Sequence, residues 1–327
     1  MKVLVTGGAG YIGSAIAHYM VDRGFNVHVI DDLSTGSEIL LPEKVKFYKL
    51  DIGKEDAITK IIKNFSPDII IHLAACVEVE ESVINPIKYY ENNVLKSISF
   101  FKSCINANAT KIIFSSTAAV YGDLDGKLFS ENDEKNPSSP YGKTKLITEQ
   151  VLNDLNNTNS IQSVIFRYFN VAGADQSLRT GQMKEPASHL IKIACETALN
   201  KREMLYIYGN DYNTKDGTCI RDYIHINDLA ELHYKAAEYL IKGGKPVTLN
   251  CGYSRGYSVL DVVNKVKQIS KNEFKVKIVD RRLGDAPEVV ADATLCNKVL
   301  NWKPKNNDLD KIIKDAFEWE KIVHTKN

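Results

Sequence analysis

Thr6-Gly7-Gly8-Ala9-Gly10-Tyr11-Ile12-Gly13 follows the β-branched run Lys2–Thr6 and precedes a helical pattern that begins near Tyr11. Gly7, Gly10 and Gly13 fall in a G-x-x-G-x-x-G pattern. Glycine permits the tight turn and lets the backbone approach a pyrophosphate closely. The helix that follows offers free N–H groups and the positive end of its dipole. A strand, a glycine turn and a helix in this order are the context that makes the pattern a dinucleotide site.

The rhythm around this stretch agrees. Strands are expected at Lys2–Thr6, Asn26–Asp31, Lys46–Asp51, Ile69–His72, Lys111–Ser115 and Ser163–Phe169, with helical patterns between them. The helix over Pro86–Asn108 is long, and Pro86 suits a first turn. Alternation of this kind predicts an α/β, Rossmann-type doubly wound parallel sheet covered on both faces. After about residue 175 the rhythm changes. Segment 175–188 reads as a polar loop. Helices are expected near 188–200, 227–242, 258–270 and 308–323, and strands at 247–250 and 275–279. These divide the chain into a dinucleotide-binding domain over 1–177, to which 219–248 returns, and a smaller α/β substrate lobe over 178–327.

Composition narrows the function. The 327 residues are 44% hydrophobic, and 42 Lys+Arg against 41 Asp+Glu leave a formal charge of +1. That balance gives no reason to expect nucleic acid or an anionic membrane as partner. No apolar run approaches a membrane span, and the opening residues already read as a strand rather than a secretory leader. Cysteines 76, 104, 195, 219, 251 and 296 form no C-x-x-C pair and no zinc-finger spacing with histidine, so no metal site is expected. Free thiols point to a reducing, cytoplasmic setting.

Asp31 closes the second strand eighteen residues after Gly13, close to the spacing of an acid that holds the adenosine ribose. Its carboxylate would accept from a 2′-hydroxyl and repel a 2′-phosphate. No Arg or Lys follows in Asp32-Leu33-Ser34-Thr35-Gly36, so NAD is expected over NADP.

Tyr141 and Lys145 lie four apart in Pro140-Tyr141-Gly142-Lys143-Thr144-Lys145 and share a helix face. Of the sixteen tyrosines, Tyr141 alone has a lysine at i+4. Ser115-Ser116-Thr117 ends the fifth strand, where an open parallel sheet binds its ligands. A phenol of pKa about 10 is a poor base. A neighbouring ammonium and a cationic nicotinamide ring would both favour the phenolate. Thr117 would hold the substrate hydroxyl while Lys145 reaches the nicotinamide ribose.

Together these motifs resemble the extended short-chain dehydrogenase/reductases and, more narrowly, the UDP-glucose 4-epimerases. Four further segments carry the closer likeness. They are Glu81-Ser82-Val83 with Tyr89-Tyr90-Glu91-Asn92-Asn93-Val94, Arg167-Tyr168-Phe169-Asn170-Val171-Ala172-Gly173-Ala174, Gly209 to Tyr212 with Asp216 to His225, and Arg281-Arg282-Leu283-Gly284-Asp285. The resemblance implies bound NAD, a UDP-hexose substrate, C4 epimerisation through a 4-keto sugar, and a homodimer through helices near 87–108 and 140–157. It implies catalytic roles for Tyr141, Lys145 and Thr117. It implies NAD contacts at Gly7, Gly10, Tyr11, Ile12, Gly13, Asp31, Asp51, Ile52, Leu73, Ala74, Asn93, Tyr141, Lys145 and Tyr168. It implies a UDP-sugar site at Thr117, Tyr141, Asn170, His189, Leu190, Tyr208, Arg221, Arg282 and Asp285.

There are departures. Val77 stands where one member of the family has a lysine near the sugar, a position at which relatives vary, and His189 where others have asparagine. Near Pro287-Glu288-Val289 the family places a residue that limits the C2 substituent, and Glu288 leaves both sugar classes open. A 4,6-dehydratase on this fold would carry an Asp-Glu pair directly after the active-site threonine, whereas Thr117 precedes Ala118-Ala119. The alternative reading is a UDP-glucuronate 4-epimerase or related nucleotide-sugar-modifying enzyme.

Overall fold

The protein is seen here as a computed structural model that describes residues 1–122, 128–282 and 285–326. Seven parallel strands form the main sheet: β1 (Lys2–Thr6), β2 (Asn26–Asp31), β3 (Lys46–Lys49), β4 (Ile69–His72), β5 (Lys111–Thr117), β6 (Gln162–Tyr168) and β7 (Val247–Cys251). Their spatial order is β7-β6-β5-β4-β1-β2-β3. The strand sequence reverses direction across the sheet between β1 and β4, which places a ligand crevice at their carboxyl ends.

Alternation along each strand sends side chains to opposite faces. Val3, Val5 and Ile71 face α1 (Tyr11–Val21) and α5 (Ile226–Ile241). Leu4, Ile70 and Ile112 face α2 (Glu55–Phe65), α3 (Lys96–Asn106) and α4 (Pro140–Asn157). Both faces are therefore covered, which is why these strands read as continuous apolar runs.

Three expectations change at element level. The third strand ends at Lys49, because Asp51 turns the chain by accepting the Gly53 N–H at 2.7 Å. The fifth runs two residues further, to Thr117, in register with β6. The long helix over Pro86–Asn108 is not uniform. It consists of Pro86–Tyr89, one π-helical turn at Tyr90–Leu95, and α3. The buried Asn93 sits inside that turn, with its side chain bonded to the Cys76 backbone and to Thr144.

In a second sheet, strands Gly256–Ser258, Ile220–His225, Glu288–Ala291 and Leu128–Phe129 are neighbours, and Asn170–Ala172 pairs with the second of them. Met204–Tyr208 pairs with Lys275–Val279. Helices Leu190–Ala198, Val259–Ser270 and 309–326 share a core that includes Ala194, Val262 and Ile312. Segment 175–189 contains neither helix nor strand but is pinned to its surroundings. Thr180 meets Ser14 of α1 at 2.5 Å, Arg179 bridges Asp175 and Asp22, and Trp319 Nε1 donates to the Gln182 carbonyl.

Candidate active site

The crevice floor is shaped by what glycine leaves out. Gly7 adopts φ +68°, and a Cβ there would lie 2.7 Å from the Ala74 nitrogen. At Gly13 a Cβ would lie 2.2 Å from the Gly7 carbonyl oxygen, so α1 packs against the turn only without a side chain. Gly10 is different. The nearest atom to its absent Cβ is 3.4 Å away, and its backbone is half exposed at the start of α1. No side chain caps α1, and no acidic residue stands in its first turn. The N–H groups of Tyr11, Ile12 and Gly13 thus belong to an uncapped helix end whose dipole attracts an anion. The cradle fits the pyrophosphate of a dinucleotide.

Asp31 lies at the rim of this cradle. One carboxylate oxygen accepts from Ala9 N–H at 2.9 Å and the other from Leu33 N–H at 2.8 Å. Burial raises its pKa, and those two N–H groups oppose the rise. Two acceptor lone pairs remain for a ribose diol. Asp51 is paired with Lys96 at 2.5 Å, and Ile52 beside it is buried. Leu73 and Ala74 continue β4 directly beneath Gly7. Asn93 is held on every side. Its carbonyl accepts from Cys76 N–H and Asn92, and its amide donates to Cys76 O and Thr144. It therefore fixes the Ala74–Cys76 backbone against α4. Tyr11 turns its hydroxyl to the Gly173 carbonyl at 2.7 Å, and Tyr168 turns its own to His233 at 2.7 Å. What Tyr168 offers the crevice is ring and backbone, not a hydroxyl.

Above the ends of β4 and β5 stands α4. Ser139 caps it by accepting the Gly142 N–H, and Pro140 occupies its first turn, so Tyr141 is presented at the helix start. Tyr141, Lys145 and Glu149 occur every four residues and share one face. Each engages one residue of the β5 terminus. The Tyr141 phenol is near Thr117, whose hydroxyl favours its ionisation. Lys145 Nζ donates to the Ser115 carbonyl at 2.7 Å. The Ser116 hydroxyl donates to Glu149.

The electrostatics differ from the expectation in one respect. Burial pushes the Tyr141 phenol up to about 12, the Thr117 hydroxyl pulls it back, and the Glu78 carboxylate adds to the rise. Lys145 does not move it. Burial instead brings the Lys145 ammonium down to about 7, against the favourable charge of Glu149. The same dehydrated wall acts on both groups, and it disfavours the charged form of each. The protein alone thus withholds the phenolate, and a cationic ring beside the phenol would have to supply the depression.

The opposing wall belongs to the smaller lobe. Arg221 donates to the carbonyls of Ile220 and Ala286 at 2.9 Å and reaches Asp285 at 3.5 Å. Arg282 lies over the Tyr208 ring at 3.8 Å and approaches Glu80 at 3.5 Å. The two guanidinium groups therefore pair with different carboxylates, and Asp285 partners Arg221 rather than Arg282. Leu283 and Gly284 of this motif lie outside the described residues. Asn170 starts its strand opposite Tyr223, while His189 and Leu190 open helix Leu190–Ala198. No group of three or more acids, cysteines or histidines among the described residues is arranged to hold a metal.

Residues 4–316 match the family model described as GDP-mannose 4,6 dehydratase. A UDP-glucose 4-epimerase of Azospirillum brasilense is 44% identical over 322 residues, spanning 98% of this chain and 92% of the relative. The chain belongs to the UDP-glucose 4-epimerase family. Two solved members are alike throughout. The UDP-glucose 4-epimerase of Brucella ovis, in complex with NAD, superposes with a TM-score of 0.94 at 38% identity, covering 97% of both chains. The UDP-Glc/GlcNAc 4-epimerase of Campylobacter jejuni superposes at 0.86 with 41% identity, covering 98% of this chain and 99% of that one. The acidic pair expected of a 4,6-dehydratase is absent after Thr117. Ala118 and Ala119 begin a 3₁₀ turn there, and the Ala119 N–H closes onto Thr117 Oγ1 at 3.1 Å, so no carboxyl group follows the threonine.

Three site-supporting residues escaped the sequence reading: Glu149, Arg167 and Tyr121. Arg167 makes a two-pronged pair with Glu149, at 3.0 and 2.6 Å, and donates to the Tyr121 hydroxyl at 2.9 Å. Tyr121 in turn donates to Asn250 at 2.6 Å. The usable signal was Glu149 itself, one further turn along the Tyr141–Lys145 face.

Proposed function

We propose that this chain interconverts the C4 epimers of a UDP-hexose using bound NAD. The observation that supports it most is the β5–α4 ladder: Lys145 on Ser115, Glu149 on Ser116 and the Tyr141 phenol near Thr117 at the carboxyl edge of the sheet, two strands from a glycine cradle built for a pyrophosphate. NAD, held by the glycine cradle and Asp31, would supply the hydride acceptor and donor for C4. The chain's own residues do the rest. Tyr141 accepts the proton of the C4 hydroxyl and later gives it back. Thr117 fixes the direction of that transfer. Lys145, held by Ser115, keeps a donor at the ribose position. Arg221, Arg282, Tyr208, Asn170, His189, Leu190 and Asp285 grip UDP, so that the sugar is free to turn between the two transfers. Binding energy spent on the non-reacting nucleotide retains the 4-keto sugar without fixing its orientation.

The test is direct. Purified protein incubated with UDP-glucose is expected to give UDP-galactose at equilibrium by proton NMR. Recovery of unchanged UDP-glucose with NAD present would refute the reading.

The proposed assembly is a homodimer. Ile87, Leu95 and Ile98 of the Pro86–Asn106 helical run are exposed at 65, 61 and 41%, and Ile84, at the end of the preceding helix Val79–Ile84, is exposed at 84%. Exposed apolar residues grouped in this way call for a partner surface. We expect sedimentation at about twice 36.6 kDa, and monomers from an Ile87→Glu/Leu95→Glu variant. A monomeric wild-type protein would exclude the dimer. No described helix is long and apolar enough to cross a membrane. The six free thiols, five of them buried, favour the reducing cytoplasm as the working compartment.

A further inference from the structure

Helix Leu190–Ala198 begins at two of the residues proposed to grip UDP, His189 and Leu190, yet no side chain caps its first turn. His189 stands at the N-cap without accepting from the helix, and no acid follows it in that turn. The third helical position carries a cation instead, Lys192. A positive charge there opposes the helix dipole, and this side chain is only 3% exposed. A buried lysine at a helix start needs partners, because an unpaired ammonium is costly to dehydrate.

Those partners include one from the far end of the chain. Lys192 Nζ donates to Glu320 Oε2 at 2.8 Å and lies 3.1 Å from Glu196 Oε1. The other oxygen of Glu320 receives Lys201 Nζ at 2.8 Å, and Glu196 also pairs with Arg202. Burial works against the Lys192 charge, but Glu320 and Glu196 keep its pKa above the usual lysine value. Glu320 thus grips helix Leu190–Ala198 within its first turn and the chain just beyond its last.

Trp319, the residue before Glu320, holds the chain upstream. Its indole N–H donates to the Gln182 carbonyl at 3.2 Å, and its ring lies over Gly181, where a Cβ would come within 2.6 Å of it. Consecutive residues of helix Leu309–Lys326 therefore fix the chain on both sides of His189. The apolar residues Ile191 and Ala194 share a core with Leu205 and Ile207, which precede Tyr208, and with Tyr223, two residues after Arg221. Helix Leu190–Ala198 is thus tied to the strands that carry Tyr208 and Arg221, and also to the C-terminal helix.

We propose that Lys192, gripped by Glu320, is a positioning residue: the ion pair sets the first turn of helix Leu190–Ala198, and with it His189 and Leu190, for UDP, and makes the C-terminal helix a determinant of nucleotide affinity. This rests on the UDP-binding part of the epimerase reading. The pair acts through the helix, so its effect falls on binding and not on the chemical step. With the pair broken, the first turn has to be ordered as UDP binds, and that ordering weakens affinity.

The experiment measures Kd for UDP by titration calorimetry, kcat and KM for UDP-glucose, and bound NAD in the wild type, Lys192→Met and Glu320→Gln. Lys192→Met is the safer break for folding, because Glu320 keeps Lys201 and Glu196 keeps Arg202, so neither buried carboxylate is stranded. Its Kd for UDP and its KM are expected to rise together by about tenfold, while kcat stays within about twofold and NAD content is unchanged. Glu320→Gln, which removes the charge and keeps the shape, should show the same split. A Lys192→Met protein that is folded by circular dichroism and binds UDP as the wild type does would overturn the proposal. So would a fall in kcat with KM unchanged, or a Glu320→Gln protein of wild-type affinity beside a weakened Lys192→Met, which would assign the effect to packing and not to the ion pair. A wild type that binds UDP but leaves UDP-glucose unchanged would overturn the epimerase reading instead, and the Kd comparison would still decide the role of Lys192.

Discussion

Tyr141→Phe is expected to lower kcat for UDP-glucose epimerisation by roughly 10²–10⁴-fold, the usual worth of a positioned acid–base group, while leaving NAD binding and thermal stability nearly unchanged. The substitution removes one oxygen. The ring stays at the start of α4, between the Ser139 cap and the Thr117 end of β5. The oxygen that disappears lies within the site near Thr117, so little folding energy depends on it. The proton to be moved then has no acceptor at the Thr117 side chain, whose own oxygen is engaged by the Ala119 N–H. The pH dependence gives an independent reading. Burial holds the phenol up at about 12, and the Thr117 hydroxyl lowers it. Below its working pKa the fraction of phenolate grows tenfold per pH unit, so the wild-type rate should climb with pH until that group is ionised. The climb should be absent in Tyr141→Phe. A variant that keeps wild-type kcat, or the same rising limb, would show that the proton goes elsewhere.

The parts of this molecule that could be read from the chain are those whose partners are close in sequence. The glycine turn, the acid eighteen residues on, and the Tyr141–Lys145 pair are each a local pattern, and the parallel sheet follows from strands buried on both faces. Long-range partners were invisible. Arg167 sits opposite Ser116 only because β5 and β6 are in register, and that register sets the guanidinium beneath Glu149 on the facing helix. A glutamate inside a helix otherwise reads as solvated surface. The short strands Gly256–Ser258, Glu288–Ala291 and Leu128–Phe129 were missed for a similar reason. Each has two to four residues, and each is fixed by neighbours more than thirty positions away rather than by its own alternation. The π turn at Tyr90–Leu95 has helical composition, so its one extra residue left no mark in the apolar spacing. The electrostatics at Lys145 have a different origin. Proximity in sequence promised an ammonium near the phenol. The fold delivered a shared dehydrated wall whose effect on each group exceeds their effect on one another.

Glu149→Leu is expected to be the most destabilising single change near the site. Glu149 and Arg167 are almost fully buried, with side-chain exposures of 2 and 5%. Burial works against the guanidinium charge, yet Glu149 and Tyr121 hold Arg167 firmly protonated. Removing the carboxylate leaves that charge without a counter-ion. Breaking a buried pair in this way costs on the order of 3–5 kcal/mol. With an unfolding entropy of about 2 cal/mol/K per residue, a chain of 327 residues should lose roughly 4–7 °C in Tm. The double variant Glu149→Leu/Arg167→Met should recover most of the loss, because two apolar side chains of similar bulk replace two charges that each required desolvation. Activity should not follow stability. Glu149 also receives the Ser116 hydroxyl, and it is the group whose charge favours the Lys145 ammonium. The double variant should therefore refold well and still catalyse poorly, with an altered pH–rate profile, because Lys145 gives up its proton more easily without the Glu149 charge. Calorimetry and a pH–rate profile on the same three proteins separate the two effects. If the double variant regained both stability and the wild-type pH profile, Glu149 would be packing alone, and the ladder of Tyr141, Lys145 and Glu149 would carry no electrostatic information beyond its first two members.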